Sequence, residues 1–113
     1  YNKALKAKKR IQNAFYDAFK KYDMLLGPVA PTTALKIGES LSDPLKMYLG
    51  DIYTVMINIA GMPSMSVPCG FDKDNMPIGM QIIGKPFEEA EIMSAAKAFE
   101  NVTDFHNKLP DLG

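Results

Sequence analysis

The chain lacks the features that would place it in a specialised class of protein. Its single cysteine cannot form an internal disulfide, which is typical of a reducing compartment. No apolar run approaches the roughly 18 residues that a membrane-spanning helix needs. Thirteen basic residues balance thirteen acidic ones, so the net charge provides no attraction toward nucleic acid or an acidic membrane. With 113 residues, 47% of them hydrophobic, the composition is that of an ordinary globular protein, and we expect it in the cytoplasm.

The beginning of the sequence also lacks expected signals. Residue 1 is a tyrosine, and no apolar signal-peptide core follows it. The first predicted helix has no capping residue, and three strands with a few apolar helices would leave sheet edges uncovered. We therefore expect residues 1–113 to be the C-terminal part of a single larger domain, with no internal boundary. Such a piece in isolation is expected to self-associate.

Hydrophobic periodicity predicts an α/β fold with the order α–β–α–β–β–α. Asp43 and Pro44 form a helix start, because aspartate caps a helix and proline suits its first position. The predicted elements are a helix over 1–22, a strand over 23–28, a loop over 29–43, apolar helical pieces over 44–61 interrupted near Gly50, strands over 64–71 and 77–84, and a helix over 87–102.

The stretch NIAGMPSMSVPCGF, residues 58–71, contains residue types found in nucleophilic active sites. Strand alternation, however, places Ser64 and Ser66 on the face opposite Cys69, and small residues there suit close packing. A catalytic thiol would need a base, and the only histidine, His106, is predicted to be a solvated surface residue near the C-terminus. We interpret the serines as structural and the cysteine as a small buried hydrophobe.

Six phrases in order resemble the C-terminal part of the amidase signature family. They are YDMLLGPVAPTTA, KIGE, DPLKMYLGDIYT, NIAGMPSMSVPCGF, PIGMQIIGKPFEE and AFENVTDFH. The wording MYLGDIYT and QIIGKPF is most similar to the tRNA-dependent amidotransferase branch of that family. The resemblance implies a mixed β-sheet covered by helices and an enzyme that hydrolyses glutamine with a serine, a second serine on a cis peptide and a lysine.

The resemblance also implies partners. The released ammonia passes to a partner protein, which uses ATP and magnesium to activate glutamate on misacylated tRNA, in a complex with subunits of the B and C types. The family's catalytic residues belong to a glycine- and serine-rich signature and an upstream lysine, which this sequence does not contain. Ser64, Ser66 and Lys85 lack the glycine-rich context of an oxyanion hole. The 113 residues alone are therefore expected to be inactive, with no cofactor of their own.

Asp51 is the residue that the sequence singles out for substrate binding. It lies at the break between two apolar helical pieces, where an ion is costly without a partner. The matching aspartate of the family is expected to hold the α-amino group of glutamine. Alternatively, Asp51 caps the helix that follows it. Tyr48 and Thr54, one helical turn to either side, are candidates for the same pocket.

Other polar residues have simpler interpretations. Asn58 and Gln81 are predicted to be structural amides, and Lys3, Lys6, Lys9 and Arg10 form a solvated helix face rather than a tRNA-binding patch. Two rival functions stay open at this point. One is an amidase acting on another small amide, and the other is a non-enzymatic interaction module.

Overall fold

A computed structural model describes residues 1–39 and 43–113 of the chain, so residues 40–42 of the predicted loop lie outside the described residues. The elements follow the predicted order, with the apolar stretch divided into two helices. They are α1 (Asn2–Phe19), β1 (Leu25–Pro28), α2 (Pro44–Gly50), α3 (Ile52–Ala60), β2 (Ser64–Phe71), β3 (Pro77–Ile83), α4 (Glu89–Val102) and a 3₁₀ helix (Phe105–Asn107).

The three strands form one antiparallel sheet in the order β1–β3–β2. Ile82 in the central strand is paired with Leu26 on one side and Met65 on the other. The register of β2 against β3 shifts between Pro68 and Gly70. The predicted alternation of β2 therefore continues only to Pro68, and Cys69 lies in the irregularity, at the edge of the sheet that the described residues form.

Two hydrophobic clusters cover opposite faces of the sheet. Ile83 packs with α1 and α3, whereas its neighbour Ile82 packs with α4, as expected from the alternation of side chains along a strand. The first cluster contains Phe19, Ile57, Ala60, Met62 and Ile83, and the second contains Val67, Ile82, Ile92 and Ala96. The result is a three-layer arrangement of helix, sheet and helix.

The close approach of α4 to the sheet requires glycine at position 84. A Cβ atom there would lie 2.7 Å from two side-chain carbons of Ile92. Helix α4 begins at Glu89, later than predicted, because Phe87 adopts a positive φ of 66° that no helix accommodates.

The predicted lysine-rich face of α1 is confirmed as exposed.

The prediction of a solvated histidine at position 106 is wrong. His106 belongs to the 3₁₀ helix, and its Nδ1 atom is buried without a hydrogen-bond partner among the described residues. His106 as a whole is half-buried, and the neighbouring residue Phe105 packs its ring 6.4 Å from that of Phe99 and 6.3 Å from that of Phe71. Within residues 1–39 and 43–113, no helix has the length and apolar character to cross a membrane.

Candidate functional site: the junction of α2 and α3

Helix α2 starts as the sequence predicts. The Asp43 carboxylate accepts hydrogen bonds from the backbone N–H groups of Leu45 at 3.0 Å and Lys46 at 3.4 Å. Pro44 occupies the first helical turn, where its missing N–H costs nothing. This cap determines where the helix that carries Tyr48 begins.

The helix is interrupted at Asp51, whose backbone has φ −99° and ψ 2°. The Asp51 carbonyl accepts the N–H groups of Thr54 at 3.1 Å and Val55 at 3.0 Å, so α3 begins immediately afterward. The Asp51 carboxylate itself makes no capping hydrogen bond. Asp51 is thus the N-cap residue of α3, as the alternative has it, but its side chain takes no part, and the helix start depends on the backbone and the Thr54 hydroxyl.

The surroundings of Asp51 differ from those expected. Its sequence neighbours are apolar, but the residue is exposed, and neither Gly50 nor Ile52 belongs to one of the two hydrophobic clusters. Its carboxylate accepts no hydrogen bond from the described residues. Within the described residues the carboxylate is therefore exposed and makes no hydrogen bond.

The other two predicted site residues lie on adjacent helical turns. Tyr48 is 73% exposed, and its carbonyl accepts the Asp51 N–H at 3.3 Å. The hydroxyl of Thr54 donates to the Asp51 carbonyl at 3.1 Å, so its proton is already used within the helix start. Tyr48 is thus an exposed residue on the turn before Asp51, whereas the Thr54 hydroxyl stabilises the backbone at the start of α3.

The predicted structural amides are confirmed. Asn58 donates to the Thr54 carbonyl at 2.9 Å. Gln81 is only 5% exposed, and its Oε1 accepts the Ser64 hydroxyl at 3.1 Å while its Nε2 donates to the Tyr53 carbonyl at 3.4 Å. This link from the sheet to α3 was not predicted, although a glutamine within the apolar strand QII was the available signal. It also gives Ser64 a structural partner.

Most of the outer surface of the two helices is apolar. We call α2 and α3 together the apolar arm. The exposed large hydrophobic residues of the arm are Leu45, Met47, Tyr48, Leu49, Ile52, Tyr53, Val55, Met56 and Ile59. Only Ile57 and Ala60 of the arm are buried. Asp51 is therefore a single carboxylate in the middle of an apolar surface.

A further cleft in the described part of the chain lies away from the arm. A cleft of about 420 Å³ lies at the other end of β2, between Phe71 and the segment containing Asp104, Phe105, Asn107 and Lys108. It contains none of the predicted site residues. No group of three or more His, Cys, Asp or Glu side chains in the described part of the chain is arranged to hold a metal ion.

Comparison with known proteins identifies the family. Residues 1–93 match the family model described as Amidase. The chain belongs to the amidase family. The resemblance seen in the sequence is therefore confirmed.

Individual relatives are more informative about the branch of the family. The chain is 59% identical over 104 residues to the A-type subunit of the glutamyl-tRNA(Gln) amidotransferase of Agathobacter rectalis, a match that covers 92% of this chain and 21% of the relative. The crystal structure of the corresponding A-type subunit from Thermotoga maritima superimposes with a TM-score of 0.84 at 42% identity, covering 90% of this chain and 22% of that one. The Kluyveromyces lactis allophanate hydrolase gives a TM-score of 0.77 at 28% identity, covering 92% and 17%.

These matches also show how much of its relatives' length the chain covers. It spans about a fifth of the length of the relatives that it matches. The fold expectation is confirmed, because the same arrangement of helices and antiparallel strands occurs in the solved amidase-family structures. The roles of Asp51, Tyr48 and Thr54 remain predictions.

Proposed function

We propose that this chain is part of the glutamine-hydrolysing subunit of a glutamyl-tRNA(Gln) amidotransferase. What supports the proposal over a general amidase is the identity of 59% to one such A-type subunit, against 28% to the allophanate hydrolase. In this proposal residues 1–113 contribute the substrate-recognition part of a larger amidase domain, and the nucleophilic serine and its activating residues come from other parts of the protein.

The observation that supports the site assignment is the exposed carboxylate of Asp51, which makes no hydrogen bond within the described residues. Glutamine at neutral pH has an α-ammonium group, and a carboxylate is its natural partner in a charge-assisted hydrogen bond. An apolar surface around that carboxylate would exclude water once the site closes, and electrostatic attraction rises as the effective dielectric constant falls. Asp51 would then bind the ammonium group and Tyr48 would contact the same substrate from the preceding turn.

This arrangement accounts for selectivity between amides. A substrate without an α-amino group leaves the Asp51 carboxylate without its partner in the closed site, which is costly. Glutamine satisfies it, and its side-chain amide is then held in a fixed orientation relative to the nucleophile. The contribution of this chain to catalysis is thus binding and orientation.

The proposal extends to the assembly. The ammonia released from glutamine would pass to partner subunits of the B and C types, and the ATP and magnesium would be used there, on a glutamate attached to tRNA. We place the complex in the cytoplasm, where tRNA is aminoacylated.

The test uses the complete protein with its partner subunits. We expect ammonia release from glutamine at a far higher kcat/KM than from butyramide, and formation of Gln-tRNA from Glu-tRNA when ATP and magnesium are added. Equal turnover of glutamine and butyramide, without tRNA amidation, would identify a general amidase. Absence of any amide hydrolysis would favour an interaction module.

The 113 residues alone provide a second test. We expect them to release no ammonia from glutamine or asparagine, because no activated nucleophile is present among them. Ammonia release that is abolished by Ser66→Ala or Cys69→Ala would contradict this assignment of the chemistry.

A further inference from the structure

The turn between β2 and β3 is organised by one carboxylate. Oδ1 of Asp72 accepts the backbone N–H groups of Asp74 at 2.8 Å and Met76 at 2.9 Å. The Asp72 N–H donates to the Met76 carbonyl at 2.9 Å, and Asn75 adopts the left-handed conformation with φ 64°. The conformation of the turn is therefore stabilised by hydrogen bonds within the turn itself.

The second oxygen of the same carboxylate holds a distant segment. The Thr33 hydroxyl donates to Oδ2 of Asp72 at 2.7 Å, across 39 positions of sequence. A distance of 2.7 Å is typical of a hydroxyl bound to an ionised carboxylate. These hydrogen bonds hold the pKa of the Asp72 carboxyl below its usual range, the Met76 N–H contributing most and the Thr33 hydroxyl next.

We call residues 29–39 the crossover segment, since they leave β1 on the way toward the apolar arm. Near its start, the Val29 N–H donates to the Gly79 carbonyl at 3.4 Å. At its end, Glu39 accepts the Lys36 N–H at 3.1 Å and the Lys46 ammonium, on the first turn of α2, at 3.5 Å. The crossover segment therefore contacts the sheet at one end and the arm at the other, with Thr33 between them.

Helix α2 depends on such contacts because it has no buried residue. Within the described residues its contacts outside its own turns include the ion pair of Lys46 with Glu39 and the helix α3 that follows it. The ion pair is exposed and contributes little by itself. If the crossover segment is already fixed to the sheet, it loses less conformational entropy when Glu39 pairs with Lys46. The ion pair then restricts α2 more strongly.

We propose that Thr33 and Asp72 are positioning residues for the substrate site. Their hydrogen bond fixes the crossover segment on the β2–β3 turn and thereby restricts helix α2, which carries Tyr48 and leads into Asp51. This inference rests on the proposed glutamine site. Neither residue contacts substrate, and losing the bond lowers the fraction of molecules in which the arm is ready to bind.

The experiment compares three variants of the complete protein in its complex. Thr33→Val removes the hydroxyl and keeps the shape, Thr33→Ser retains the hydroxyl, and Thr32→Val is the matched control at an exposed neighbouring threonine that makes no hydrogen bond within the described residues. We expect Thr33→Val to raise KM for glutamine about three- to tenfold with kcat within about twofold of the parent. Thr33→Ser and Thr32→Val should match the parent.

Hydrogen exchange provides the readout that does not depend on activity. In Thr33→Val we expect faster amide exchange in residues 30–39 and in α2, with unchanged exchange at Asp74 and Met76, whose bonds to Asp72 remain. Equal KM values for Thr33→Val and Thr32→Val, or unchanged exchange in the crossover segment, would overturn the inference. A parent enzyme that does not hydrolyse glutamine would refute the proposed function, while the exchange comparison would still decide whether Thr33 anchors the segment.

Discussion

Helix α4 and the apolar arm show two different relations between an apolar sequence and burial. Ile92 and Ala96 of α4 are buried against Val67 and Ile82, so the face that periodicity predicts is the face that packs. Helix α2 is equally apolar in character, yet it buries nothing within the described residues. Periodicity finds the inner face of a helix only where another element covers it. Where none does, polar contacts such as the Asp43 cap determine the position of the helix.

This difference predicts how the isolated 113 residues behave. The arm exposes at least nine large hydrophobic side chains, a surface that water disfavours, so we predict self-association. Sedimentation velocity over a concentration series should show a mass above that of one chain. Met56→Lys on the arm should shift the equilibrium toward the monomer, whereas Met93→Lys on the exposed side of α4 should not. A monomer at every concentration would contradict this prediction.

The next largest effect is expected in the packed region. Ile82→Ala removes the side chain at the centre of the α4 cluster, which is 2% exposed, and should lower the free energy of unfolding by about 2–5 kcal/mol. Leu45→Ala in the arm, where the leucine is 63% exposed, should change it by less than about 0.5 kcal/mol. Urea unfolding of both variants tests the comparison. At concentrations where the chain is monomeric, similar losses would mean that the arm packs against the rest of the same chain.

A smaller effect on stability is expected from the N-cap of helix α2, and it tests whether the cap or packing positions this helix. Asp43→Ala removes the hydrogen bonds to the N–H groups of Leu45 and Lys46, and should lower stability by about 1 kcal/mol. Asp43→Asn should be nearly neutral, because asparagine caps equally well. Hydrogen exchange of the α2 amides should follow the same order. If Asp43→Ala leaves α2 exchange unchanged, packing rather than the cap positions this helix.

The smallest predicted effect is a change in the pKa of Asp72. The pKa of Asp72 is lowered by the Met76 N–H and then by the Thr33 hydroxyl, so its contribution to stability is complete above its unfolded pKa and is lost as the pH falls through the lower, folded value. Carbon-detected NMR should show Asp72 titrating below its usual range, and Thr33→Val should move the midpoint upward. An unchanged midpoint in Thr33→Val would show that the hydroxyl does not bind this carboxylate.

Local signals in the sequence predicted most of the fold. The spacing of Ile92, Ala95, Ala96 and Phe99, the Asp43–Pro44 start and the interruption near Gly50 all depend on neighbours within one or two turns. The start of α4 was misplaced because nothing in the local pattern reveals the positive φ of Phe87. The partial burial of His106 was not predicted, because it follows from the short 3₁₀ helix that contains it, which no periodicity in the sequence indicates.

The candidate site was predictable to a lesser degree. Asp51 stood out as a charge between apolar segments, and the resemblance suggested its role. The absence of a capping hydrogen bond from its side chain could not be predicted, since an aspartate at the N-cap position usually makes one. The bonds of Thr33 to Asp72 and of Gln81 to Tyr53 join residues 39 and 28 positions apart, and single-sequence patterns do not contain such pairings.

The central claim is that the Asp51 carboxylate, on the uncovered arm, binds the ammonium group of glutamine. The most direct test measures kcat/KM for glutamine and for butyramide in the complete enzyme, for the parent, for Asp51→Asn and for the control Asp43→Asn. A lost charge-assisted bond is worth about 1.5–3 kcal/mol, so Asp51→Asn should lower the glutamine value by roughly ten- to a hundredfold. The butyramide value should not fall, because butyramide has no ammonium group to lose its partner and Asp51→Asn removes a charge that butyramide leaves unpaired. Asp43→Asn should leave the ratio as it was. An unchanged ratio of glutamine to butyramide in Asp51→Asn would contradict the claim.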